Sequence, residues 1–180
     1  MMSWKTFHNR GETLRRVEHI ANDRRDGALP MGVPGVAENF TDELDLVGAL
    51  LLRWHARLSG NIERAMATEP MDLEAAVAAA WRTTAEEMPG VRMVIDRCTE
   101  APSTPEMERA MNRAHDRETA YLATAAGLSS GYDSAAIGAG RRVEQLARTG
   151  LAVPQVQEPL VEPDAPTESF ADRIRAVLAA

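Results

Sequence analysis

A long apolar segment without proline, residues 41–66, most constrains what this chain can fold into. It opens with Thr41, the predicted N-cap, followed by Asp42, Glu43 and Asp45. Such residues favour a helix start because they meet unpaired N–H groups and the positive end of the helix dipole. Apolar residues then recur at steps of three and four, which is the spacing of one helical face. We therefore predict a central helix contacted on several sides. Its predicted face consists of Leu44, Val47, Gly48, Leu51, His55, Leu58, Ile62 and Met66, widened by Leu46, Leu50 and Leu52.

The composition favours helices in the rest of the chain as well. Aromatic residues make up only 4% of the sequence, so the core must be built from Ala, Leu, Val, Ile and Met. Such side chains suit closely packed helices better than a sheet of β-branched residues. No segment shows the alternation expected of a strand. We predict an all-α fold in which residues 1–150 form one domain, a bundle of five or six helices. Proline and glycine place the helices at 3–25, 41–66, 73–88, 91–98, 103–126 and 134–149.

Three helix starts carry polar signals. Asp72 and Asp133 each stand directly before an apolar helical segment and are predicted N-caps. Ser103 and Glu106 have the spacing of a capping box, with Pro105 between them in the first turn. In the last of these helices, Gly138 and Gly140 weaken the helix but let another backbone come close.

The composition changes sharply after residue 150. Residues 151–169 contain four Pro and four acidic residues and neither Lys nor Arg, which predicts an extended, polyproline-like linker. Residues 170–180 follow as a short amphipathic helix. A tethered apolar helix of this kind can dock on a protein partner or a second copy, or it can pack back on its own bundle. The predicted partner-binding residues are Phe170, Ile174, Val177 and Leu178.

Charge and cysteine content narrow the possible environments. The formal net charge of −7 argues against a nucleic-acid surface. No targeting leader is recognised at the start, and no apolar run approaches the length of a membrane span. The single Cys98 excludes an internal disulfide and fits a reducing cytoplasm. Nineteen Arg against one Lys indicate a bacterial genome rich in G and C. We expect a cytoplasmic bacterial protein that binds neither nucleic acid nor membrane.

Three polar residues are candidates for a ligand or metal site. His55 lies on the predicted apolar face of the central helix, where it can act as a ligand or base, or as a hydrogen-bonded core residue. His115 and Glu118 are three residues apart and share a helix face. The outline resembles ferritin-like di-metal bundles, whose sites use Glu-x-x-His twice. This chain contains no Glu-x-x-His, and His115 and Glu118 stand in the reverse order, so no family is identified and no cofactor is predicted.

Other motifs favour structural explanations. Gly127, Ser129 and Gly131 match the letters of a nucleophile elbow, but a predicted helix precedes them where that motif needs a strand. Cys98 lies on an apolar face and is expected to be inert. The leading functional prediction is therefore a non-enzymatic helical interaction protein that self-associates or binds a protein partner through helix faces. The alternative is a bundle that binds a metal or small ligand, with a catalytic role open, through His55, His115 and Glu118.

Overall fold

The computed structural model describes residues 4–68 and 71–151, with side chains described from residue 9 to residue 150. This part of the chain forms seven helices and no strand, so the predicted all-α fold is confirmed. Six helices have twelve residues or more, and the seventh, α2, is a four-residue helix that directly follows a segment rich in Pro and Gly. The helices are α1 (Trp4–Arg24), α2 (Val36–Asn39), α3 (Glu43–Thr68), α4 (Leu73–Glu87), α5 (Pro89–Glu100), α6 (Pro105–Ala125) and α7 (Ser134–Leu151).

The predicted linker and terminal helix fall mostly outside the described residues. Helix α7 continues to Leu151, two residues past its predicted end. Beyond that point, the predicted linker and the predicted docking residues Phe170, Ile174, Val177 and Leu178 all lie outside the described part of the chain.

The helices pack in two closely joined groups. In one group α6 lies along α7, and in the other α3 lies along α4. Helix α4 also contacts α7 and so joins the two groups. Helix α1 packs on α5, where the Asn22 side-chain oxygen accepts hydrogen bonds from the N–H groups of Gly90 (3.0 Å) and Val91 (3.2 Å). The close α6–α7 contact depends on Gly140, because a Cβ atom there would lie 1.6 Å from the carbonyl oxygen of Thr119.

The buried face of α3 differs from the predicted one. The buried face is centred on Trp54. The centre of the predicted face lies somewhat less than 100° away around the helix axis, and about 100° is the rotation per residue. Gly48 and Leu52, both assigned to the core, are exposed, with Leu52 71% accessible. The error arose because apolar residues occur around much of this helix, and the largest side chain, an indole, decides which direction is buried. The buried residues are Leu46, Val47, Leu50, Trp54, Leu58, Asn61 and Ile62.

The predicted cap of α4 is confirmed, since Asp72 Oδ1 accepts a hydrogen bond from the Ala75 N–H at 3.0 Å. The cap of α7 is confirmed as well, because Asp133 Oδ1 accepts from the Ala136 N–H at 2.8 Å. For α3 the cap is Asp42 and not Thr41: Asp42 Oδ1 accepts from the N–H three residues ahead, at 2.8 Å.

The predicted capping box at α6 is wrong by one residue. Thr104 is the N-cap, and its hydroxyl oxygen accepts a hydrogen bond from the Met107 N–H at 3.1 Å. Ser103 instead donates to Glu43 Oε2 at 2.7 Å and so links the start of α6 to that of α3. The reason is Pro105: a proline favours the first helical position, which makes its immediate neighbour the cap.

Candidate functional site

Glu118 is a buried carboxylate in the middle of the helical core. The indole nitrogen of Trp54 donates to its Oε2 at 3.1 Å, and that of Trp81 donates to its Oε1 at 3.0 Å. Arg92 Nη1 lies 3.4 Å from the same Oε1 and donates a third hydrogen bond. Residues from α3, α4 and α5 therefore meet on one acidic side chain of α6, and their donors offset the cost of burying its charge.

The two tryptophans and Arg92 also pack against one another. The rings of Trp54 and Trp81 meet edge to face, with centroids 5.6 Å apart and planes at 74°. The guanidinium carbon of Arg92 lies 4.8 Å from the centroid of the Trp54 ring and 5.8 Å from that of the Trp81 ring. Stacking on an indole face stabilises a guanidinium that has little access to water.

The polar contacts continue from Arg92 to α7. Arg92 Nη2 and Arg148 Nη2 each lie 2.8 Å from Asp96 Oδ1, and Arg148 also contacts Glu144 Oε1 at 2.8 Å. Burial alone would raise the pKa of Asp96, but hydrogen bonds from Arg148 and the two positive charges outweigh it and hold that pKa below its usual value. We name the whole set the Glu118 cluster: Trp54, Trp81, Arg92, Asp96, Glu118, Glu144 and Arg148.

The two predicted histidines lie at different carboxylates of this cluster. His55 Nε2 is 4.0 Å from Glu118 Oε2, whereas His115 Nε2 is 3.7 Å from Glu144 Oε2. Each imidazole is 32% exposed. Burial lowers the pKa of His55, an effect that the Glu118 charge opposes and the Arg92 charge reinforces. The structure thus brings His55 to Glu118 and places His115 beside a residue that was not predicted.

Several members of the cluster were missed because charged residues are rarely buried. The sequence did contain a signal for them. Arg92 and Asp96, and likewise Glu144 and Arg148, are opposite charges four residues apart on a helix. Each pair forms within its helix, and Arg148 then joins the two pairs through Asp96.

The chemistry of the cluster is that of an internal support. Both oxygens of Glu118 accept hydrogen bonds from neighbouring helices, so its carboxylate already links those helices within the core. Within residues 4–68 and 71–151, no group of three or more His, Cys, Asp or Glu is placed to hold a metal ion. A ligand role for His55, His115 and Glu118 stays a prediction.

An apolar groove on the outer face of α3 is the second candidate site. It has a volume of about 870 Å³ and is bounded by α1 on one side and α6 on the other. At one end Arg10 is fixed by Asp45, with contacts of 2.6 and 3.0 Å, and lies 4.2 Å from the centroid of the Phe40 ring. A Cβ atom added at Gly48 would meet nothing within 4 Å. We call this site the α3 groove; its apolar surface includes Leu14, Leu44, Gly48, Ala49, Leu52 and Ala110.

Comparisons of the chain with protein-family models, with curated proteins and with solved structures found no match. In the part of the chain that the structure describes, no helix combines the length and the apolar character needed to cross a membrane. Function must therefore be inferred from the chemistry of the α3 groove and the Glu118 cluster.

Proposed function

We propose that this protein is a helical interaction protein that self-associates, with residues 170–180 of one copy docking in the α3 groove of a second copy. The observation that carries the proposal is the groove itself, where Leu52 is 71% exposed on a surface formed by three helices. A large apolar depression on a helical protein suits an amphipathic helix, which can lay its apolar face in such a groove.

The dimensions of the groove and of the terminal segment agree. From Leu44 to Leu52 the groove follows α3 for eight residues, or about 12 Å at 1.5 Å per residue. Phe170 and Leu178 are also eight residues apart and would span the same distance in a helix. In a helix, Phe170, Ile174, Val177 and Leu178 would supply four large apolar groups over a little more than two turns.

Gly48 supports the same conclusion. Glycine in the interior of a helix costs about 1 kcal/mol relative to alanine. At Gly140 this cost has a reason within the molecule, because the backbone of α6 would collide with a Cβ atom there, whereas at Gly11, Gly48 and Gly138 a Cβ atom would meet nothing within 4 Å. Of these three, Gly11 and Gly48 line the α3 groove, so their missing side chains leave room in it for a group from outside this domain.

The tether is long enough for exchange between copies. Residues 152–169 would span about 55 Å in a polyproline-like conformation, whereas a domain of 150 residues has a radius of gyration of about 15 Å. Two copies can therefore exchange their terminal segments around a two-fold axis, which fills both grooves in a closed dimer. In this arrangement residues 1–150 are the helical bundle domain, 151–169 the tether and 170–180 the docking segment. The single Cys98, whose pKa is raised by burial, suits a cytoplasmic location.

The test is the mass of the full chain by light scattering, measured over a hundredfold range of concentration. Gly48→Gln places a polar side chain in the groove without touching the core, and Phe170→Glu removes the largest apolar group of the docking segment. Gly138→Gln is the matched control, because Gly138 is also a helical glycine with nothing within 4 Å of its Cβ position.

We expect the parent protein and Gly138→Gln to be dimers, and both Gly48→Gln and Phe170→Glu to be monomers. Self-association through the groove is refuted if the parent protein is a monomer at every concentration. It is also refuted if the groove and tail variants stay as dimeric as the control.

A further inference from the structure

A second surface on α3 continues from the groove toward the C-terminal half of the helix. It is a cleft of about 310 Å³, and it shares Arg53 with the α3 groove. Three guanidinium groups line it, from Arg53, Arg57 and Arg64, together with the single carboxylate of Glu18. We call it the arginine cleft. The net charge of the chain is −7, but at this cleft three guanidinium groups face the two carboxylates of Glu18 and Glu87.

Two arginines of this cleft form only long ion pairs, and the third, Arg64, donates a hydrogen bond from Nη2 to the neutral side chain of Asn61. Arg53 Nε lies 3.4 Å from Glu18 Oε2, and Arg57 Nε lies 3.5 Å from Glu87 Oε2. Their side chains are 44% and 53% exposed, so water competes strongly for both pairs. By contrast, Arg148 in the Glu118 cluster has two carboxylate contacts of 2.8 Å. An incoming carboxylate can therefore bind Arg53 and Arg57 without breaking a strong contact, and it can bind Arg64 through the donors that Asn61 does not use.

We infer that the arginine cleft binds the acidic tether, residues 158–168, of the same copy whose residues 170–180 occupy the adjoining groove. This inference rests on the proposed function. Residues 158–168 contain four acidic side chains and neither Lys nor Arg, so their charge is complementary to that of the cleft. The acidic residues directly precede the docking segment, just as the cleft directly adjoins the groove.

The order of the two surfaces fixes the direction of docking. The groove lies along the first half of α3 and the cleft along the second half. The acidic residues come before the apolar ones in the tail, so the bound segment runs antiparallel to α3. This direction also brings the negative charges of the tether toward the arginines and keeps them away from Asp42 and Asp45 at the other end of the groove.

Spacing then assigns two ion pairs. We place Ile174 over Gly48. Glu168 would then lie about 12 Å from Ile174 along the tail, a distance made up of four helical and two extended residues. Arg57 lies about 14 Å from Gly48 along α3. Asp164 lies about 25 Å back by the same reckoning, and Arg64 lies about 24 Å along α3. The pairs are therefore Arg57 with Glu168 and Arg64 with Asp164.

The experiment is a charge exchange in the full chain, read out as the dimer dissociation constant at low salt. Arg57→Glu with Arg64→Glu, and separately Asp164→Arg with Glu168→Arg, should each weaken the dimer by about tenfold or more. The four changes combined should restore most of the lost affinity, because opposite charges face each other again. Added salt should reduce the differences between these variants.

Two exposed arginines of α6 provide the control. Arg109→Glu with Arg113→Glu makes the same change in net charge away from the cleft and should leave the dissociation constant within about twofold of the parent value. The inference is overturned if the dimer of the variant with all four changes is no tighter than that of the weaker double variant. It is also overturned if Arg57→Glu with Arg64→Glu has the same dissociation constant as this control. If Gly48→Gln still yields monomers in those cases, the proposed function stands and only the role of the cleft fails. A monomeric parent overturns both.

Discussion

Glu118→Gln tests whether the buried carboxylate is a structural support or a free site. The substitution keeps the shape of the side chain but replaces one acceptor oxygen with an N–H₂ donor. Glu118 accepts from Trp54 through one oxygen and from Trp81 through the other, so in the variant one indole N–H must face another donor. Arg92 also loses a negative partner, although it keeps Asp96.

The expected loss follows from these contacts. A buried donor without an acceptor costs about 1 to 3 kcal/mol, and weakening the buried charge pair adds to this, so we expect unfolding to become easier by about 2 to 4 kcal/mol. In a protein of this size, that loss corresponds to a fall in melting temperature of about 5 to 15 °C. Urea unfolding followed by circular dichroism gives the free energy, and a thermal scan gives the temperature.

Glu106→Gln is the matched control, since Glu106 is on the same helix but 63% exposed and forms its ion pair with Arg109 at the surface. It should change the free energy of unfolding by no more than about 0.5 kcal/mol. A Glu118→Gln variant as stable as this control would refute the structural role. It would then favour the alternative in which Glu118 acts with His55 and His115 on a metal or small ligand.

Two further predictions concern helix packing and pH. Gly140→Ala should destabilise the protein by at least about 2 kcal/mol in urea unfolding, because its Cβ atom would collide with the Thr119 carbonyl oxygen, now 1.6 Å from that position. Gly138→Ala, two residues away in open space, should instead stabilise it by up to about 1 kcal/mol, and equal effects would refute the close contact. His55 has a pKa lowered by burial, so the unfolded chain binds the extra proton more readily and stability should fall as the pH drops through about 6.5. His55→Gln should make stability depend less on pH between about 5 and 7, and an unchanged pH profile would show that His55 does not contribute.

The sequence was most informative where one residue type has one structural role. Asp72 and Asp133 were identified as caps because a short acidic side chain before an apolar segment has few other roles. Cap assignment failed at Ser103, where two hydroxyl residues are adjacent and only the position of Pro105 distinguishes them. The side of α3 that faces the core was harder to predict, since leucines occur on both its buried and its exposed sides.

The candidate sites were only partly accessible to sequence reasoning. Glu118 was predicted from its spacing to His115, yet the carboxylate nearest His115 in the structure is Glu144. Contacts between helices depend on how each helix is rotated, and local spacing does not contain that information. The α3 groove was missed for a related reason: Leu52 is apolar whether it faces the core or an external partner.

The Glu118 cluster joins five helices, and this determines which parts of the molecule can unfold separately. Helices α3 to α7 each contribute at least one side chain to it, so none of the five can separate without exposing a buried charge. Helix α1 lies outside this arrangement. It is attached by its buried residues Val17 and Ala21 and by the polar contacts of Arg10, Glu18 and Asn22, none of which buries a charge as deeply as Glu118. Its backbone amides should therefore exchange with deuterium through a partial opening, at a lower free energy than the amides of α3, α6 and α7. Equal protection in all of these helices would mean that α1 unfolds only with the whole protein. Because α1 forms one wall of the α3 groove, its partial opening would also release whatever the groove holds.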